Sequence, residues 1–446
     1  MLILGLLLPL LLGLAICWLV IPNLTILVRL ALSCGLGFGF LTLAMFCLDV
    51  FGAKFSLVNT TIFVLGIISL LLLLKGKRNL ASLLLVMKAN PFPRMRTIIA
   101  SLSAFEKIIV GLLIFLLLSH LVIAVYWPVF WSDSLTLYDL RAKLLFEEQS
   151  FSGASDRLVE QLVNLDRRPY VFRIAPMTSL VHTWLYLCGW ASPKLFYPLL
   201  FISLAILFYH FLREYVPRYH ALLFTLVLVT TPYMYLYAIT SYLHFPFAFY
   251  FSVGTFYLYR WIRMNERSSL LLAGVLLGLS AWVRQLSGIF FLGYLIILLF
   301  ICISHRRFLA FFLFCGLYFS IASLWNIYFS KVFHFTAVGG DSRSISQVFE
   351  FLPMMGRFFD FLQWKKALDF FWRYVSPNFR VIYYLLILTT LLYINRVWKH
   401  RFLFLIVFSN LILFLIGIYV EILNRGYQAP ADSAKRIFIT FIPIIW

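Results

Sequence analysis

Apolar residues fill long blocks of this chain, and polar or basic residues collect in the short stretches between them. The blocks run roughly over 1–20, 24–50, 56–74, 108–127, 194–212, 219–236, 240–260, 269–283, 287–304, 308–328, 380–395, 402–421 and 436–446. About 20 residues at ~1.5 Å each match ~30 Å of hydrocarbon, so the pattern predicts an all-α polytopic membrane protein of about thirteen spans. The block over 24–50 is long enough to tilt. The first block, MLILGLLLPLLLGLAICWLV, has no charged leader and no small-residue cleavage site. It reads as a retained span rather than a signal peptide. The last block stops at Trp446, and the sequence leaves open whether the chain is complete there.

Basic residues set the orientation, because Lys and Arg favour cytoplasmic loops. Lys75, Lys77, Arg78, Lys88, Arg94, Arg96 and Lys107 mark 75–107 as cytoplasmic. Arg260, Arg263 and Arg267 mark the loop before 269, His305, Arg306 and Arg307 the next, and Arg396, Lys399 and Arg401 another. Alternation then places 128–193, 329–379 and 422–435 outside. Residues 174–190, IAPMTSLVHTWLYLCGW, are apolar enough to span, but a crossing there breaks the alternation. They read instead as a helix lying in the outer interface or re-entering it, with Trp184, Tyr186 and Trp190 suited to that interface. A surface helix is expected over 147–157.

Composition agrees. The chain is 63% hydrophobic and 12% charged, with a mean hydropathy of +0.96; a soluble domain runs near a quarter charged. The net charge of +20 sits mainly in the short basic loops, which points to topology and anionic lipids rather than nucleic acid. Cys17, Cys34, Cys47, Cys188, Cys302 and Cys315 show neither CxxC nor zinc spacing and read as small packing residues. No phosphate-binding glycine loop is present.

The candidate chemistry begins at PVFWSDSLTLYDLRAK, residues 128–143, where the fourth block leaves the membrane. A carboxylate near a bilayer is costly unless hydrated, paired or functional. Asp133 is either a hydrated loop residue capping the helix after it, or a general base or ligand for a phosphate-held metal. Asp139 is a second carboxylate, able to pair with Lys143 one turn on; helical spacing puts Asp139 and Arg141 on different faces. Trp131, Tyr138 and Arg141 flank the pair. Arg284 and Gln285 interrupt an outer span end, and Lys435 and Arg436 open the last block; cations there suit a phosphate, or simply snorkel. His182 and His244 complete the candidate pocket, with packing as the alternative for His244. Asp341, Glu350, Asp360 and Asp369 are further acids, read chiefly as solvated charges. The sequence leaves a divalent-metal requirement open and implies no other cofactor.

WSDSLTLYDLRAK resembles the acidic first-loop motif of the GT-C membrane glycosyltransferases, among which the dolichyl-phosphate-mannose mannosyltransferase and aminoarabinose-transferase-like groups are most similar. RIAPMTSLVHTWLYLCG resembles the proline-containing helix that follows it there. SYLHFPFAFYFSVGTFYLYRWIRMNERSSLLLAGVLLGLSAWVRQLSGIFF resembles the middle pair of spans, and ADSAKRIFITFIPIIW the late basic segment. The likeness covers roughly 120–290 and the last fifteen residues. It implies a GT-C-like module over 108–446, preceded by three additional spans and the basic loop in 1–107. It further implies inverting sugar transfer from a polyprenyl-phosphate donor to a lipid, glycan or protein hydroxyl outside the membrane. Asp133, with Asp139 nearby, matches the catalytic carboxylate, and Arg284 and Arg436, with Lys435, match donor-phosphate positions. His244 stands where the family often has Asp, so that carboxylate's role is absent.

Two other classes remain in view. A flippase or transporter of lipid-linked saccharide predicts mid-membrane charges and repeated halves, neither evident here. A glycan polymerase or ligase predicts arginine-rich outer loops, and Arg343, Arg357, Lys365 and Arg373 keep it open. The expected location is the bacterial cytoplasmic membrane, with the site facing outside.

Overall fold

The computed structural model describes residues 1–22, 24–75, 100–161, 168–332, 360–392, 394–425 and 431–446. Lys77, Arg78, Lys88, Arg94, Arg96, Asp341, Arg343, Glu350 and Arg357 lie outside these residues. Every regular element among the described residues is helical. Among the described residues eight helices are long and apolar enough to cross a membrane: Leu2–Val20, Ile26–Val50, Leu57–Leu74, Ala104–Tyr126, Pro193–Arg213, Ser287–Ser304, Phe308–Val332 and Arg401–Val420. A ninth arises if Phe361–Asn378 and Arg380–Leu392, bent by 101°, form one broken span. These spans mark an integral membrane protein.

The other apolar blocks become shorter or more polar helices. Arg218–Thr230 has 13 residues, about 20 Å of rise. It stops because Pro232 forces Thr231 into extended backbone, φ −60° and ψ 118°. Arg267–Val283 has 17 residues. His244–Met264 has 21 residues, but His244, Arg260 and Arg263 lower its hydropathy. The helix expected over 147–157 is instead two, Leu140–Glu148 and Phe151–Gln161, separated at Gln149 in the left-handed region, φ 55°.

The chain divides into two compact units. The first holds residues 1–172 and 177–242, the second 173–176 and 243–446.

In the first unit, Pro9 lies inside the helix Leu2–Val20. A proline has no N–H for the carbonyl four residues back, here that of Gly5. The Trp184 indole donates to the Gly5 carbonyl at 2.9 Å and fills that vacancy. The same helix meets Ile26–Val50 at two glycines: a Cβ on Gly37 would stand 1.8 Å from the Pro9 carbonyl oxygen, and one on Gly13 1.9 Å from that of Ser33. Only glycine permits such backbone contact. Trp190 donates to the Leu2 carbonyl, the Phe55 amide to that of Gln149, and the Phe151 amide to the Asp49 carboxylate. Residues 2–5, 49–55, 149–151 and 184–190 therefore share one end of this unit. At the other end Arg218 grips Glu106 at 2.7 and 2.9 Å, and Ser103 and Glu106 form a reciprocal helix cap.

In the second unit the helix Arg267–Val283 presents Gly274 and Gly278 to Phe308–Ala322, where added methyls would press on Leu317 and Ile321. Thr255 and Tyr294 share a buried hydrogen bond of 2.6 Å. Arg307 donates to Asn265, and Tyr259 bonds His400, both at 2.6 Å, so the three basic loops share one end. Gln285 donates to Asn326 at 2.6 Å at the opposite end.

Candidate functional site

The first unit contains the carboxylates. Beyond the span Ala104–Tyr126 the chain enters a π-helical turn, Ser134–Asp139, which tightens into the helix Leu140–Glu148. Such widened turns recur at functional sites. Asp133 is half-buried at its start. It makes no side-chain bond to cap this helix, so the capping alternative does not describe it. Trp131 is 38% exposed and lies 6.4 Å, ring to ring, from Tyr242; Tyr138 is buried 6.1 Å from the same ring.

Asp139 is buried. It pairs with Lys143 at 3.0 Å, as the one-turn spacing predicts, and also accepts a hydrogen bond from the Tyr186 hydroxyl. His182 Nδ1 stands 3.8 Å from it, while His182 Nε2 shares a 2.9 Å hydrogen bond with the Tyr197 hydroxyl. Arg141 was expected to point elsewhere, yet it too is covered: its Nε donates to Ser179 at 2.8 Å and its Nη1 to the Val171 carbonyl at 3.1 Å. Ser179 in turn donates to the Tyr138 carbonyl at 3.1 Å. The parts of this helix that carry Asp139 and Arg141 are covered, while Lys143, Phe146 and Glu147 stay exposed.

Their partners come from the helix Met177–Leu187, in which Ser179, His182, Thr183 and Tyr186 form one helical stripe. Its 11 residues are too few to span. Met177 through Leu185 are buried in the first unit, and Trp184 is fully enclosed rather than interfacial. Burial lowers the His182 imidazole to about 4, against the pull of the Asp139 charge and with the push of Arg141. Burial also brings the Arg141 guanidinium down to about 9. The Tyr186 hydroxyl is held well above the usual tyrosine range by burial and by the Asp139 carboxylate.

The second unit contains the candidate phosphate residues. His244 and Arg284 are buried, while Lys435 and Arg436 are half-buried. Arg284 and Arg436 both act electrostatically on His244, so three of the predicted positions converge. Gln285 faces Asn326. The predicted residues thus fall into an acidic, aromatic group in one unit and a basic group in the other.

Sequence reasoning read Tyr186 only as suited to an interface, and passed over Tyr197 and Lys194. The polar spacing 179, 182, 183, 186 inside an apolar run signals the first. Lys194 is a cation at an outer span end, the same signal that singles out Arg284. Among the described residues no three His, Cys, Asp or Glu side chains cluster. Comparison of the chain with protein-family models, curated proteins and solved structures gives no match.

Proposed function

We propose that this protein is an inverting glycosyltransferase of the GT-C type, moving a sugar from a polyprenyl-phosphate donor to an acceptor hydroxyl on a lipid, glycan or protein. The reaction takes place at the non-cytoplasmic face, in a bacterial cytoplasmic membrane. Asp133 takes the acceptor proton as the hydroxyl oxygen bonds to the anomeric carbon; the bond from that carbon to the lipid phosphate breaks, and the phosphate leaves with the electron pair. Arg284 and Arg436, with Lys435 beside them, supply positive charge for that phosphate. Trp131, 38% exposed, offers a ring face to a sugar, and Tyr138 is buried behind it against Tyr242. Asp139, held by Lys143 and Tyr186, supports the helix rather than moving protons. The full topology of about thirteen spans requires the shorter apolar helices to cross as well.

The observation that carries this reading is Asp133: a half-buried carboxylate at a π-helical turn, past the end of a span, that is not used to cap its helix. The test is transfer from radiolabelled polyprenyl-phosphate sugars in proteoliposomes, wild type against Asp133→Asn. Loss of transfer with donor binding kept supports it. Movement of lipid-linked sugar across the bilayer without bond formation by the wild type rejects it in favour of a transporter.

A further inference from the structure

Lys194 is a cation the proposed chemistry does not use, yet it is 1% exposed. Its Nζ donates to the carbonyls of Trp127 at 3.0 Å and Pro128 at 3.4 Å, and lies 5.7 Å from the Phe130 ring centre. Those carbonyls close the span Ala104–Tyr126, whose last turn leaves acceptors without N–H partners and carries the negative end of the helix dipole. Pro128 has no N–H and drives Trp127 to extended backbone, φ −87° and ψ 130°. The ammonium thus sits where the chain leaves its helix. Lys194 is itself fixed, since its amide is capped by the Ser192 hydroxyl at the start of Pro193–Arg213. Beyond the clamp, Trp127, Phe130 and Trp131 pack edge to face or tilted at 5.6 and 5.4 Å. Asp133 follows two residues later.

We propose that Lys194 is a positioning residue: by clamping the carbonyls of Trp127 and Pro128 it sets where Asp133 stands. As a statement about catalysis this rests on Asp133 being the base. A neutral apolar side chain of similar length removes both hydrogen bonds and leaves the span end without its cation. The five residue steps from Pro128 to Asp133 can extend at most about 18 Å, so release at Pro128 lets the carboxylate move by ångströms. A displacement of ~1 Å can cost up to ~100-fold in rate.

Two readouts separate this inference from the functional reading. The first is the thiol-labelling rate of Asp133→Cys in detergent, with the wild-type chain as the blank for the native cysteines. Adding Lys194→Met is expected to change that rate several-fold, whereas adding Lys194→Arg keeps it near its parent. The second is sugar transfer by the single variants. Lys194→Met is expected to lower kcat about tenfold or more with little change in donor KM, and Lys194→Arg to restore most of it. Unchanged labelling in a monodisperse Lys194→Met background overturns the positioning role. If Lys194→Met aggregates, Lys194→Leu, which likewise has no donor, replaces it under the same criterion. Absence of transfer by the wild type removes the functional reading alone, and labelling still decides what Lys194 does. A loss of transfer in which KM rises and kcat holds overturns the catalytic half of the proposal.

Discussion

Tyr186 donates its hydroxyl hydrogen to the Asp139 carboxylate, joining two helices that lie 47 residues apart in sequence. Lys143 reaches the same carboxylate from a side chain that is 59% exposed, while Asp139 itself is 3% exposed. The two partners therefore differ in value. Tyr186→Phe leaves a buried charge short of one hydrogen bond and is expected to cost about 1–3 kcal/mol. Lys143→Met, removing a solvent-screened partner, should cost under about 1 kcal/mol. Thermal unfolding of the purified protein in detergent ranks the two, and equal losses contradict this account.

His182 gives the acidic side of the stability profile a definite sign. Its ordinary value is 6.5, and burial holds the folded form at about 4. The unfolded chain therefore binds a proton across this interval while the native chain does not. Its contribution is complete above about pH 6.5 and shrinks as pH falls toward 4, by up to roughly 3 kcal/mol. His182→Gln should flatten the melting temperature between pH 7 and pH 5 relative to the wild type. A variant as acid-sensitive as its parent assigns the slope to other groups.

Pro9 and Trp184 should be coupled through the Gly5 carbonyl. Trp184→Phe strands that acceptor, a loss of about 1–3 kcal/mol. Pro9→Ala supplies an N–H for the same carbonyl, so Trp184→Phe should cost about 1 kcal/mol less in that background. The double-mutant cycle subtracts the cavity left by the lost ring. Strict additivity rules out the shared carbonyl as the link.

Glycine substitutions discriminate contact from open space. Gly37→Ala places a methyl 1.8 Å from the Pro9 carbonyl oxygen, whereas nothing lies within 4 Å at Gly66. The first should lower the melting temperature strongly or prevent folding, since backbone cannot yield as a side chain does. The second should be neutral or stabilising by up to about 1 kcal/mol. Detergent melts of both variants, compared with the wild type, give the answer.

The proposed division of labour predicts distinct kinetic faults. Arg284→Gln and Arg436→Gln should raise the KM for a polyprenyl-phosphate sugar. Asp133→Asn should lower kcat by about 10²–10⁴-fold with donor affinity intact. Steady-state transfer assays on the three variants decide it; a uniform fall in all parameters argues against separate roles.

The helical, membrane-embedded character was legible because apolar length is a one-dimensional property: each of the eight qualifying helices overlaps a predicted block, four of them running one to four residues past its bounds. Helix length was less legible where a local rule cut a block: Pro232 ends a helix that apolarity alone would have continued. The pairing of Lys143 with Asp139 follows from one helical turn. The partners Tyr186 and His182 do not, because they depend on how two helices 40 residues apart cross. Arg141 shows the limit most clearly. Helical spacing correctly separates it from Asp139 in angle, but gives no indication that Val171 and Ser179 cover its side. Trp184 suited an interface by type and is buried because Pro9, far away in sequence, left it an acceptor.

Trp184 and Trp190 are bonded to carbonyls 179 and 188 residues earlier. During synthesis the first helix enters the membrane long before either tryptophan exists. At ~5–20 residues per second the wait is about 10–40 s. Through that interval the Gly5 carbonyl lacks its indole partner, so Leu2–Val20, though made long before Trp184, reaches its final bonding only later, and its early companion is the glycine-lined face of Ile26–Val50. A nascent chain arrested before residue 184 should therefore keep this helix pair but expose its first turn to protease.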